Sequence, residues 1–328
     1  MLKTMKLATA MIVITLTSAV TAPAWADPLK VVASFSIITD FAKNVGGDRI
    51  EITTLVGPNG DAHVYDPKPT DAVAMSKADV VLVNGLHFEG FLTRLVETSG
   101  SKAAVVELTK GVKPLKMKAE FAEEEEGEGH AAEASEADHD HTAEAVGDHD
   151  HGNIDPHAFQ SVANAEIYVK NIADAFCQAD AASCETYKSN AASYLATLHA
   201  LDAEVKAAVA SIPQDKRTII TSHDAFGYFE HEYGLTFHAP EGISTEADPS
   251  AADVAKLIQQ IKQDKASAIF VENITNPRLI EQIAGETGLK VGGELYSDAL
   301  SDEGGPAATY VDLMRHNIAT IKGAIGGS

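Results

Sequence analysis

Short runs rich in Val and Ile alternate along this chain with longer amphipathic stretches. Four runs fall in the first half, at residues 30–34, 50–56, 79–84 and 103–108. Four more fall in the second, at 217–221, 235–238, 268–272 and 290–295. Helix-like stretches lie between them, for example 70–78, 89–98, 249–262 and 276–287. Strands that alternate with helices predict parallel sheets covered by helices. Four strands in each half predict two α/β lobes of similar build.

A longer helical pattern separates the halves. Tyr187, Tyr194, Leu195, Leu198, Leu201, Val205 and Val209 recur at steps of one to seven that keep them on one side of a helix over 185–211. No Gly or Pro interrupts the pattern before Pro213. At 1.5 Å per residue such a helix spans roughly 40 Å. It predicts a stiff connection running the length of both lobes, unlike a Gly/Ser linker.

Charge changes the picture at one place. The 328 residues carry 25 Lys+Arg and 48 Asp+Glu, a net charge of −23. That balance argues against nucleic acid and against an anionic membrane surface, both of which select basic patches. Nine Glu and four Asp fall between Glu120 and His151, and no Lys or Arg occurs from Ala119 to Val169. The segment 117–152 is low in bulky apolar residues, which predicts disorder.

The first 26 residues read as an export leader. Lys3 and Lys6 precede an apolar stretch and the small-x-small site Ala24-Trp25-Ala26. The apolar stretch is too short for the ~20 residues of a membrane span. Cleavage after Ala26 is expected. No Cys lies near that point, so no lipid anchor is indicated. The expected location is the periplasm. In that oxidising compartment the two cysteines, Cys177 and Cys184, are expected to form a disulfide. The chain thus divides into a leader (1–26), a first lobe (27–183) with the acidic insertion (117–152), a linking helix (184–212) and a second lobe (213–328).

Histidine dominates the candidate chemistry. Five of thirteen sit in the acidic insertion: His130, His139, His141, His149 and His151. The doublet Asp138-His-Asp-His141 and Asp148-His-Asp-His151 predicts weak binding of several divalent ions. Four other positions share a structural logic. His63 follows the second strand, His157 follows the acidic insertion, His223 follows the fifth strand and Asp298 follows the last. Three of them lie just past carboxyl ends of strands, where open α/β sheets place ligands. Two come from each half, so a cleft between lobes could gather three imidazoles and a carboxylate. Spacing alone makes this only a candidate set. Asp61 and Asp224 are candidates to orient the imidazoles. Asp66 and Glu294 are alternative carboxylates, and His87 lies after the third strand.

Several motifs, in order, extend the reading. They are His63-Val-Tyr-Asp-Pro-Lys-Pro-Thr-Asp71, Asn84-Gly-Leu-His-Phe-Glu-Gly-Phe91, Asp155-Pro-His157, Thr221-Ser-His-Asp-Ala-Phe-Gly-Tyr-Phe229, Glu246-Ala-Asp-Pro-Ser250 and Tyr296-Ser-Asp-Ala-Leu300. Together they resemble the cluster A-I metal-binding proteins, the solute-binding components of zinc and manganese ABC importers. The resemblance covers essentially the whole mature chain. It implies an α/β fold of two (β/α)4 lobes joined by one long rigid helix, with the metal site in the cleft. It places the ligands on His63, His157, His223 and Asp298.

The acidic insertion resembles that of zinc-type members, and the absent lipidation Cys departs from many relatives. Manganese-type members carry Glu where this sequence has His223, so a three-His site favours Zn2+ over the harder Mn2+. The resemblance implies a monomer that carries Zn2+ as transported cargo to an importer permease, with a periplasmic zinc chaperone as a further candidate partner and no nucleic acid. The same family reading leaves manganese as the alternative cargo. A secreted zinc hydrolase would need an open coordination position and a general base. The chain has no His-Glu-x-x-His, and four ligands would close the site. An exported adhesin is the remaining class.

Overall fold

The computed structural model describes residues 27–116, 154–247 and 249–326. The leader and the acidic insertion lie outside the described residues. The first half runs β1 (Leu29–Phe35), α1 (Ser36–Gly46), β2 (Ile50–Val56), α2 (Pro69–Lys77), β3 (Val80–Val83), α3 (Leu92–Ser99), β4 (Ala104–Glu107) and α4 (Val162–Ala179). A 27-residue helix, α5 (Cys184–Ala210), follows. The second half runs β5 (Thr218–Ile220), α6 (Gly227–Tyr233), β6 (Thr236–His238), α7 (Ala251–Asp264), β7 (Ala268–Glu272), α8 (Arg278–Thr287), β8 (Val291–Leu295) and α9 (Tyr310–Gly326).

Each half builds one four-stranded parallel sheet, in the orders β2-β1-β3-β4 and β6-β5-β7-β8. The expected pair of α/β lobes is therefore present. Both sheets reverse their strand order at the same place, between their first and third strands. Ligands of open α/β sheets bind in the crevice at that reversal, outside the carboxyl ends of the strands.

The central strands are the most buried: β1 buries Leu29, Val31, Val32, Ala33 and Phe35. All four residues of β3 are buried, as expected for a central parallel strand. Helices α1, α4, α6 and α9 lie outside the stretches singled out from the sequence. Helix α1 buries Ile37, Ile38, Phe41, Ala42 and Val45 on one face. Ser161 caps α4, its hydroxyl accepting from the Asn164 amide.

Helix α5 carries the predicted stripe. Tyr187, Ala191, Tyr194, Leu198, Leu201, Val205 and Val209 are buried, at steps of three and four. Each fully buried large side chain contributes about 1.5–3 kcal/mol by removal from water. Near its start the helix is pinned to the first lobe: Asn190 donates to the Val45 carbonyl and Tyr194 to the Asp40 carboxylate. Farther along, Glu204 accepts both forks of Arg315 on α9 of the second lobe. The Cys177–Cys184 disulfide closes the turn between α4 and α5. Among the described residues no helix is long and apolar enough to cross a membrane.

Helix α3 begins at Leu92, three residues later than the pattern predicts. The cause is Glu89. Its carboxylate is buried and accepts from the Asn84 and Gly85 amides and the Ser34 hydroxyl, which holds residues 84–89 in a turn. Gly85, Leu86 and His87 all have positive φ in that turn. For Leu86 and His87 this conformation costs about 1–2 kcal/mol each.

Candidate metal centre

His63 stands in the segment after β2. The Asp61 carboxylate shapes that segment by accepting the His63 backbone amide at 2.9 Å. Asp61 thus holds the backbone and not the imidazole, which corrects the role expected for it. Its other oxygen accepts from Thr245 of the second lobe at 2.6 Å, so the His63 turn is tied across the cleft. His157 follows the return of the chain from the acidic insertion, and Gln160 just beyond it donates to the Ser297 carbonyl. His223 follows β5 and Asp298 follows β8.

One ligand atom from each of His63, His157, His223 and Asp298 lies within 4.8 Å of all the others. Asp298 Oδ2 is the hub. It lies 3.1 Å from His63 Nε2, 3.1 Å from His223 Nε2 and 3.5 Å from His157 Nε2. The Nε2 atoms of His63 and His157 are 3.3 Å apart. A tetrahedral ion with bonds of about 2.0–2.1 Å needs donor separations of about 3.3–3.4 Å. The separations of 3.1, 3.1, 3.3 and 3.5 Å lie close to that value, and the whole set within 4.8 Å is compact enough for a single small divalent cation. Three of the four residues are fully buried and His63 is 8% exposed. Asp298 Oδ1 has no hydrogen-bond partner among the described residues.

Two carboxylates turn the imidazoles toward that point. Asp155 Oδ1 lies 2.8 Å from His157 Nδ1 and also accepts the His157 amide. Glu272 Oε2 is in ion-pair contact with His223 Nδ1 at 2.7 Å, and its Oε1 accepts the Ser222 and His223 amides. At His157 the carboxylate on Nδ1 keeps the proton there and leaves the Nε2 lone pair for a cation, and at His223 the Glu272 charge stands beside Nδ1 as an ion-pair neighbour. Helix α6 approaches Asp155 so closely that a Cβ on Gly227 would collide with its carboxylate.

Neither orienting carboxylate is among those expected from the sequence. Asp155 was visible inside the Asp155-Pro-His157 motif. Glu272 ends a strand 49 residues from His223, and only the β5–β7 pairing brings them together. Replacing Glu272 by Gln should weaken metal binding about 10–100-fold, the usual range for such a partner. Competition against a chelator measures it, and wild-type affinity would mean that Glu272 serves only the backbone.

The electrostatics favour positive charge on two of the three imidazoles. Burial lowers the pKa of His157, but the Asp298 charge and the bonds to Asp155 and Asp298 outweigh it and raise it to about 9. Burial likewise opposes charge on His223, and Glu272 and Asp298 overcome it, holding the pKa well above the usual value. Burial lowers His63. Burial would raise Asp298, but His157 and His223 hold its carboxyl well below the ordinary range.

The remaining candidates lie elsewhere. Asp66 is exposed and 4.0 Å from Arg94, Glu294 is exposed, and His87 is exposed on the turn after β3. His199 pairs with Glu166, and His316 contacts the Glu294 carbonyl. The five insertion histidines, His130, His139, His141, His149 and His151, lie outside the described residues.

Comparison with known proteins agrees with this geometry. Residues 31–324 match the family model described as zinc-uptake complex component A, periplasmic (ZnuA). The chain is 32% identical over 295 residues to the manganese-binding lipoprotein MntA of Halalkalibacterium halodurans, covering 90% of this chain and 88% of that one. It is 32% identical over 301 residues to the iron ABC transporter substrate-binding lipoprotein MtsA of Streptococcus pyogenes, covering 92% and 90%. Among solved structures, the periplasmic zinc binding protein TroA of Treponema pallidum superposes with a TM-score of 0.76 at 28% identity, covering 92% of this chain and 99% of that one. With the fold, the buried His3Asp cluster and the match over nearly the whole described chain in agreement, the protein belongs to the ZnuA family, the metal-binding solute-binding proteins of ABC importers.

Proposed function

We propose that this protein captures Zn2+ outside the cytoplasm and delivers it to an ABC importer. Proteins of this family work with the permease and ATPase components of such transporters and are not enzymes. His63, His157, His223 and Asp298 are the proposed ligands. The single observation that carries the zinc reading is the donor set: three imidazole nitrogens around one carboxylate oxygen, closely spaced and closed to solvent. Imidazole suits zinc, whereas manganese prefers oxygen-rich sites. Residues 27–183 and 213–328 serve as the two lobes, with 184–212 linking them. The leader carries the chain to the periplasm. The insertion histidines hold further ions weakly and raise their concentration near the cleft.

The names of MntA and MtsA favour a second cargo, manganese or iron, in the same site. Affinity alone does not separate these readings, because sites of this kind bind zinc above manganese or iron in general. The test is metal uptake by cells that do and do not make the protein, with metal content of the protein isolated from the producing cells. Zinc uptake should fall without it, and one tightly held zinc should copurify after residues 117–152 are removed. Loss of manganese or iron uptake with zinc uptake intact would sink the zinc assignment and leave the family reading standing.

A further inference from the structure

The motif Asn84-Gly-Leu-His-Phe-Glu-Gly-Phe91 supplies no candidate ligand, yet it holds three consecutive residues at positive φ, Gly85, Leu86 and His87. The Phe88 amide donates to the Gly85 carbonyl at 3.2 Å across Leu86 and His87, both at positive φ. Tight turns with two such central residues select Gly, Asn or Asp there. Leu and His do not favour that conformation, so other groups must hold it. Strained backbone held by its surroundings gathers at binding sites.

Glu89 holds it. Its Oε1 accepts the Ser34 hydroxyl at 2.6 Å and the Asn84 amide at 2.7 Å, and its Oε2 accepts the Gly85 amide at 3.3 Å. Asn84 continues the network toward the ligands. Its side-chain amide donates to the Pro156 carbonyl, beside His157, and its Oδ1 accepts from Tyr168.

The second lobe supplies the counterpart. Glu272 also accepts two consecutive amides, of Ser222 and His223, at the strand reversal between β5 and β7. Glu89 bridges the ends of β1 and β3, the matching reversal of the first sheet. In the second lobe the carboxylate fixes an imidazole directly. In the first lobe it fixes a turn, and the turn presents Phe88.

The Phe88 ring is 1% exposed and lies edge-on to both imidazoles of its lobe. Its centroid is 4.7 Å from that of His63 and 5.6 Å from that of His157. Phe35 and Phe159 back it at 4.9 and 5.5 Å. Among the described residues the His63 ring nitrogens meet only His157 and Asp298, both through Nε2, and have no counterpart of the carboxylates that face Nδ1 of His157 and His223.

We infer that Phe88, presented by the left-handed turn that Glu89 clamps, is a positioning residue for metal capture: it sets the ring planes of His63 and His157. This rests on the metal-capture reading above. The experiment compares wild type with Phe88→Ala, Phe88→Leu and Glu89→Gln. Zn2+ affinity is measured by chelator competition, and the visible absorption of Co2+ in the site reports its geometry. Circular dichroism of the metal-free proteins checks the fold.

Phe88→Ala should weaken zinc about 10–100-fold, in line with partners that orient ligands, and change the Co2+ bands. Phe88→Leu keeps most of the volume without the ring and should shift the same bands in a folded protein. It decides the matter if Phe88→Ala does not fold. Glu89→Gln should reproduce the Co2+ change. Wild-type affinity and Co2+ bands in the folded Phe88 variants would overturn the inference while the capture reading stands. A wild-type protein that takes up neither ion overturns the capture reading and this one with it.

Discussion

Replacing His157 by Ala should reduce zinc affinity by more than about 100-fold, beyond what an orienting partner contributes. The loss is a bond to the ion and also a rearrangement of charge. His157 Nε2 faces Asp298 from a fully buried position, so alanine leaves a hole beside an ionised carboxylate. His63→Ala and His223→Ala should each act comparably, since each Nε2 stands 3.1 Å from the same oxygen. Asp298→Ala should be at least as damaging. Its Oδ2 is the common neighbour of all three imidazoles, and without it two raised imidazoles would lose their counter-charge. His223→Glu is the sharper substitution for metal choice. It exchanges nitrogen for hard oxygen and should narrow the preference of zinc over manganese. The same change puts a third carboxylate beside Glu272 and Asp298, so the metal-free variant should also melt lower. Paired zinc and manganese titrations and melting of the metal-free protein, on protein lacking residues 117–152, read both effects. Unchanged affinities for both ions in His223→Glu would remove His223 from the ligand set.

Metal stabilisation should grow as pH rises from about 6 to about 9. A ligand that binds only the folded state adds RT ln(1 + [L]/Kd), about 4 kcal/mol at a thousandfold excess over Kd. A cation must displace any protons on its imidazoles. The Asp298 charge and the Asp155 bond hold His157 up at about 9, and Glu272 and Asp298 hold His223 well above its ordinary value, so both favour the protonated form in the metal-free protein. Each displaced proton makes the apparent affinity rise up to about tenfold per pH unit, or 1.36 kcal/mol. The His157 contribution levels off near 9. The metal-free protein should behave oppositely. A histidine raised above its unfolded value stabilises fully below about 6.5, and that contribution is lost as pH climbs through about 9. Melting temperatures at fixed, chelator-buffered free zinc, with and without metal, give both slopes. A zinc-induced shift that stayed flat across the range would contradict displacement of protons from His157 and His223.

The sequence by itself determined the eight strands, the long helix, the two-lobe plan and, through the family resemblance, the candidate ligand set. Strand runs of Val and Ile show their period locally, and the stripe from Tyr187 to Val209 needs only the helical repeat to be read. The four candidate ligands are legible because three follow strand ends, where parallel sheets bind, and because the surrounding motifs resemble a family. Only the tertiary structure decided how those ligands are held. Glu272 lies on a buried strand and reads as one more strand residue until β7 pairs with β5 and sets it against His223. Asp61 reads as an imidazole partner, yet its geometry gives it the His63 backbone and Thr245, 184 residues away. Glu89 reads as the start of a helix, and the Ser34 hydroxyl, 55 residues earlier, draws its carboxylate into the core instead. Local periodicity reports which face of an element is buried. It carries no information on which distant polar group a buried carboxylate will meet, and that pairing exists only once the strands are side by side.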